Sequence, residues 1–160
     1  MQSMLSTKQL KTIKLLNKVL TSEWFVGGSI EDYFLTNKLN KAPKDIDIIT
    51  YDPKTLHQLM KVYGLPIGYE SRIVRDWVSH EETSLYKFKD MELFYITDTF
   101  LIPEVTYSEY KGVKIPHRTY ESKLELVNKW RKGISSKSVQ AYPKLKKQIR
   151  RYFPDEKSLI

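Results

Sequence analysis

Val26-Gly27-Gly28-Ser29, followed by Asp45-Ile46-Asp47-Ile48-Ile49-Thr50, is the stretch from which the fold is read. Side chains alternate across a strand, so Asp45 and Asp47 share one face while Ile46 and Ile48 point to the other, into a core. Two carboxylates held side by side repel each other unless cations sit between them. Two Mg²⁺ ions, hard cations that prefer carboxylate oxygen, would neutralise the pair and grip a triphosphate at the same time. The glycines supply the other half of such a site. Without Cβ atoms the backbone approaches a phosphate closely, and the helix start that follows aims free N–H groups at it. The plainer alternative is an Asp opening a strand beside an exposed one; the Gly-Gly-Ser turn upstream favours ligands.

The run VGGSIEDYFLTNKLNKAPKDIDIIT, Val26 to Thr50, resembles the head motif of the polymerase-β-type nucleotidyltransferase superfamily, closest to the CCA-adding and poly(A) polymerase branch. The resemblance implies an enzyme of the EC 2.7.7 type, passing a nucleoside monophosphate from an NTP to an acceptor hydroxyl with two Mg²⁺ (Mn²⁺ as a substitute). It implies Gly27, Gly28 and Ser29 at the phosphates and Asp45 and Asp47 as catalytic metal ligands; Asp32 also falls where that branch has Asp. Glu31 stands where Arg is common, and the stretch from Leu35 to Lys44 is longer than usual. The long helical neck, body and tail of CCA-adding enzymes have no counterpart here, so CCA addition itself is not expected.

A third carboxylate is sought on a neighbouring strand. Glu92 sits between Met91 and Leu93 in a segment too apolar to welcome an unpaired charge. The resemblance makes it the third metal ligand and a base toward the acceptor hydroxyl; a Glu facing water from an edge strand is the alternative. Lys129 resembles the helix lysine that minimal nucleotidyltransferases point at the triphosphate, with a solvated helix lysine as the competing reading. Arg72 and Arg75, on a strand near the expected cleft, are candidate contacts to acceptor or phosphate. Tyr107 and Tyr110 fit either base stacking or core packing.

The chain has 160 residues, 41% hydrophobic and 29% charged, which suits one soluble globular domain. It has no cysteine, which removes disulfides, thiolate zinc sites and thiol catalysis. No run is apolar enough to span a bilayer and the N-terminus lacks the order of a signal peptide, so a cytoplasmic location and no membrane partner are expected. The net charge of +8 is uneven: through residue 110 there are 13 Lys and Arg against 15 Asp and Glu, and from Lys111 onward 14 against 4. A basic last third fits a polyanion such as RNA, with Lys146, Lys147, Arg150 and Arg151 as acceptor-binding candidates; lysine-rich solvated helix faces give the same count. The acceptor expected is an RNA, tRNA-like 3′ end. Nucleotidylation of a protein or small-molecule hydroxyl, antitoxin-like, is the second reading, and a catalytically silent nucleotide- or RNA-binding relative the third.

The pattern predicts an α/β (α+β) fold: a small mixed sheet of four to five strands flanked by helices. Residues 1–132 form the nucleotidyltransferase domain, and 133–160 a basic C-terminal helix packed on or extending it. Ser6 to Gln9 reads as a capping box opening a helix to Leu20. A strand at Trp24–Val26 leads to a helix started and capped by Ser29 and running to Leu35. The strand Asp45–Thr50 is followed by a helix from Lys54 to Tyr63, with Asp52 as cap and Pro53 in its first turn. Glu70–Trp77 reads as a strand, and Leu85–Phe88 with Met91–Ile96 as a hairpin about Lys89-Asp90. Asp98 is expected to cap a short helical segment to Val105, Gly112–Pro116 to be extended, and Thr119 to cap a helix over Tyr120–Lys132 with Trp130 inward. The last helix is expected over Val139–Phe153.

Overall fold

A computed structural model describes residues 4–38, 43–74, 81–99, 101–132 and 143–155. Helix α1 (Thr7–Val19) opens on the predicted box: Ser6 Oγ accepts from Gln9 N and Gln9 Oε1 accepts from Ser6 N. Strand β1 (Trp24–Val26) leads through Gly27 into α2 (Gly28–Thr36), and β2 (Ile46–Thr50) into α3 (Pro53–Tyr63). Asp52 caps α3 by accepting from Lys54 N, at 2.9 Å. Buried Thr50 fastens the same corner: its hydroxyl contacts Thr55 Oγ1 at 2.9 Å and accepts from Asp52 N. Then come β3 (Gly68–Val74), β4 (Glu81–Phe88), β5 (Met91–Thr99), β6 (Val105–Tyr110), β7 (Val113–Arg118), α4 (Tyr120–Lys132) and α5 (Pro143–Tyr152).

The main sheet has strand order β1-β2-β5-β4-β3, with β2 and β5 parallel and every other pair antiparallel; β6 and β7 form a separate hairpin beside β1 and α1. Because faces alternate, Val26, Ile46, Ile48, Met91 and Leu93 line one side, covered by Ile13 and Leu16 of α1 and Leu59 of α3. Each of these fully buried side chains contributes about 1.5–3 kcal/mol. The opposite face carries a smaller cluster of Phe25, Ile49 and Ile96. A third cluster, Leu126, Val127 and Trp130 against Ile149 and Tyr152, packs α4 on α5.

Several expectations are corrected. The N-cap of α2 is Gly27, which makes no side-chain cap bond, so Ser29 lies inside the helix and does not cap it. Among the described residues no helix follows Asp98: Asp98 pairs with Glu82 in the β4–β5 ladder, and the ladder's hydrogen bonds outweigh the local capping preference. The extended piece expected at Gly112–Pro116 is present as part of β7, one arm of a hairpin turning at Lys111 and Gly112, both at positive φ. Asp90 does form the β4–β5 turn, with φ 61°. Thr119 Oγ1 accepts from Ser122 N at the start of α4, as predicted. Residues 133–142, with the first part of the last predicted helix, and Arg75 to Trp77 of the predicted third strand lie outside the described residues.

Candidate active site

The two glycines are explained by what stands against them. Gly27 N donates to Asp47 O at 2.9 Å, joining the turn to β2. A Cβ on Gly27 would stand 2.6 Å from Ile49 Cδ1, and one on Gly28 would collide with Asp47 Oδ2. Gly28 also has φ +61°, a left-handed conformation that a side chain disfavours. The start of α2 is thereby pressed against the Asp47 carboxylate. The first N–H groups of a helix have no partner within it, and the helix dipole adds partial positive charge there.

Parallel pairing of β2 with β5 sets Asp47 directly beside Glu92. Register partners share a face, so these carboxylates project to the side that carries Ile49 and Phe94. Asp45 lies one residue before β2, half-buried, two positions from Asp47. Among the described residues no three His, Cys, Asp or Glu side chains converge closely enough to cage a metal ion. The donor chemistry nonetheless fits hard cations: acidic oxygens from two adjacent strands, next to a glycine turn that a Cβ would fill.

A cleft of about 160 Å³ opens on this face. Gly27, Gly28 and Asp47 form one wall; Thr83, Phe94 and Ile96 come from β4 and β5, Arg118 from β7, and Leu126 and Trp130 from α4. Leu126 and Trp130 are one helical turn apart, so both point into it.

Behind the glycine turn lies a buried charge network. Glu31 is fully buried and takes the Arg118 guanidinium (Nη2 to Oε1 2.8 Å), the Arg118 backbone N–H (3.1 Å) and Lys123 Nζ (3.1 Å). Burial alone would raise the Glu31 pKa, but the charges of Arg118 and Lys123, with the Arg118 hydrogen bonds, outweigh it and hold the carboxyl at about 2. Burial pulls the Lys123 ammonium below its ordinary value, opposed by Glu31. Asp32 accepts from Tyr152 Oη (2.8 Å), Gln148 Nε2 (2.9 Å) and Arg151 Nη1. Burial, and then the neighbouring Asp32 charge, raise the Tyr152 phenol well above its usual range. Helix α2 is thus bolted to β7, α4 and α5 by residues 87 to 120 positions from Glu31 and Asp32 in sequence, while its first turn faces the cleft.

The structure brings Gly27, Gly28, Asp47 and Glu92 to one face. Ser29 is half-buried in the first turn of α2. The Arg72 backbone pairs by register with Thr83 in edge strand β3, its side chain lying outside what is described; Arg75 lies outside the described residues. Lys129 is half-buried on α4 beside Trp130 but does not line the cleft. On α5, Lys147 and Arg150 are exposed and Lys146 half-buried, whereas the Arg151 guanidinium is engaged by Asp32 in the helix packing. Tyr107 is 64% exposed, and the Tyr110 hydroxyl accepts from Met4 N at 3.2 Å. Sequence reasoning missed Glu31, Arg118 and Lys123. The signal available was Glu31 itself, a charged residue next to Ile30 in the first turn of α2, but its partners lie 87 and more positions away.

No protein-family model and no curated protein matches the chain. Two solved structures do. A provisionally named nucleotidyltransferase from Thermotoga maritima is 16% identical, with 89% of this chain and 91% of that one covered and a TM-score of 0.51. An antigenic nucleotidyltransferase-like protein from Paracoccidioides brasiliensis is also 16% identical, with 97% of this chain and 82% of that one covered and a TM-score of 0.44. The first likeness extends over nearly the whole of both chains and concerns the fold.

Proposed function

We propose that this chain, which has the nucleotidyltransferase fold, transfers a nucleoside monophosphate from an NTP to an acceptor hydroxyl, with an RNA 3′ end as the acceptor. The observation that carries the reading is the in-register pairing of Asp47 with Glu92 beside the Gly27-Gly28 turn. Asp45, Asp47 and Glu92 would hold two Mg²⁺ ions, whose charge offsets that of the triphosphate and eases loss of the acceptor proton. The first turn of α2, with Ser29 in it, binds the phosphates through its N–H groups. Arg118 presents its positive charge to the cleft from a fixed position, because Glu31 grips its guanidinium from behind. Phe94, Ile96, Leu126 and Trp130 keep the inner wall apolar and limit water.

The acceptor oxygen forms its bond to the α-phosphorus as the bond to the pyrophosphate oxygen breaks, and Glu92 helps receive the proton. Positioning and electrostatics do the rest, with no protein nucleophile required. Exposed Lys132, Lys147 and Arg150 supply the charge that draws a polyanionic acceptor.

The test is incubation with Mg²⁺, each of four labelled NTPs and total RNA. Label entering RNA, and lost in Asp47→Ala, is the expected result. Label entering protein would replace RNA by a protein acceptor, and nucleotide binding with no transfer would refute catalysis.

A further inference from the structure

The carboxylates of the candidate site belong to a row that crosses the whole main sheet. Asp47 stands beside Glu92, Glu92 beside Lys87 of β4, and Lys87 beside Gly68 of β3. Gly27, whose N–H donates to Asp47 O at 2.9 Å, closes the other end. Register partners share a face, so from β1 to β3 the row reads glycine, minus, minus, plus, glycine. It leaves the cleft after Asp47 and reaches open surface at Lys87, which is exposed.

Lys87 does not neutralise its neighbour. Opposite charges directly across an antiparallel pair attract, yet among the described residues neither the Lys87 ammonium nor the Glu92 carboxylate has an ion pair or hydrogen bond. The reason is where the lysine stem lies. A Cβ at position 68 would touch Lys87 Cδ at 3.5 Å and Lys87 Cβ at 3.6 Å. The stem therefore leans over Gly68, toward β3 and away from β5, and its ammonium is left for a ligand.

Strand spacing decides which ligand that is. Neighbouring strands are about 4.8 Å apart, so Lys87 stands about 14 Å along the row from the Gly27 turn but only one strand from Glu92. A triphosphate cradled by the turn occupies the far end; an acceptor hydroxyl giving its proton to Glu92 lies within reach of Lys87. We propose that Lys87 binds the phosphate nearest the acceptor hydroxyl, so that the acceptor is an anionic chain end. The inference rests on the proposed nucleotidyl transfer, which sets the order of nucleotide, carboxylates and acceptor along the row. Held by its phosphate, the acceptor end is fixed with its hydroxyl at Glu92. A cationic hydroxyl compound is repelled from the same place, and an uncharged one gains nothing there.

Fluorescence anisotropy of a short labelled single-stranded RNA with the whole chain and Mg²⁺, without NTP, tests the contact by binding alone. Lys87→Gln should weaken binding about tenfold and lower the slope of log affinity against log salt by about 0.7, and Lys87→Arg should restore both. An uncharged methylphosphonate in place of the 3′-terminal phosphodiester should cost the wild type the same factor and cost Lys87→Gln nothing more, because the pair is lost once. A merely structural lysine would leave the two losses additive. Additive losses, or Lys87→Gln binding as the wild type does, overturn the proposal. Coupling between Lys87 and the terminal phosphate with no transfer from any NTP would refute the catalytic reading and leave the contact standing. Transfer to RNA without that coupling would refute the role of Lys87 alone.

Discussion

Glu31→Gln keeps the shape of the side chain and removes its charge, leaving Arg118 and Lys123 buried without their anion. Two routes give the size of the effect. A carboxyl held at about 2 instead of 4.5 is worth about 3 kcal/mol at neutral pH, at 1.36 kcal/mol per pH unit. Removing one partner from a buried ion pair costs about 3–5 kcal/mol in other proteins. Both predict that urea denaturation at pH 7 loses about 3 kcal/mol in the variant. The pH dependence adds a second signature. Since the folded value lies below the unfolded one, the contribution is complete above about pH 4.5 and is lost as pH falls toward 2. The wild type should therefore weaken over that window, and Glu31→Gln should weaken less. Arg118→Gln added to Glu31→Gln should cost less than the sum of the single changes, because the pair is lost once. A Glu31→Gln variant within about 0.5 kcal/mol of wild type, with an unchanged acid limb, would refute the assignment of Glu31 as the charged centre of the network.

Replacing Asp45 or Asp47 with Ala should abolish nucleotidyl transfer while thermal unfolding stays cooperative; turnover retained in either variant defeats the metal-ligand role. Gly28→Ala, which forces a Cβ toward Asp47 Oδ2 at a positive φ, should cost about 1–2 kcal/mol of stability and lower transfer about a hundredfold, read by kcat/KM and by melting. Lys147→Gln with Arg150→Gln should weaken single-stranded RNA binding and reduce the slope of log affinity against log salt by about 1.4; an unchanged slope would take α5 out of the RNA surface.

Local chemistry wrote much of the fold into the sequence. The Ser6 capping box, the Asp52-Pro53 helix start, the Lys89-Asp90 turn and the Thr119 cap each depend on neighbours a few residues away. The Gly27-Gly28 turn and the Asp45-x-Asp47 spacing were legible for the same reason: close approach and strand alternation are properties of short segments. Where a local preference met a ladder, as at Asp98, the ladder won. What tertiary structure alone decided is which distant side chains meet. Nothing near Glu31 announces that Arg118, 87 positions on, will neutralise it, or that Tyr152, 120 positions from Asp32, will close the same helix against α5. Burial of a charge is favourable only when its partner arrives, and that arrival is set by how the sheet and helices pack, not by any pattern a short window of sequence contains.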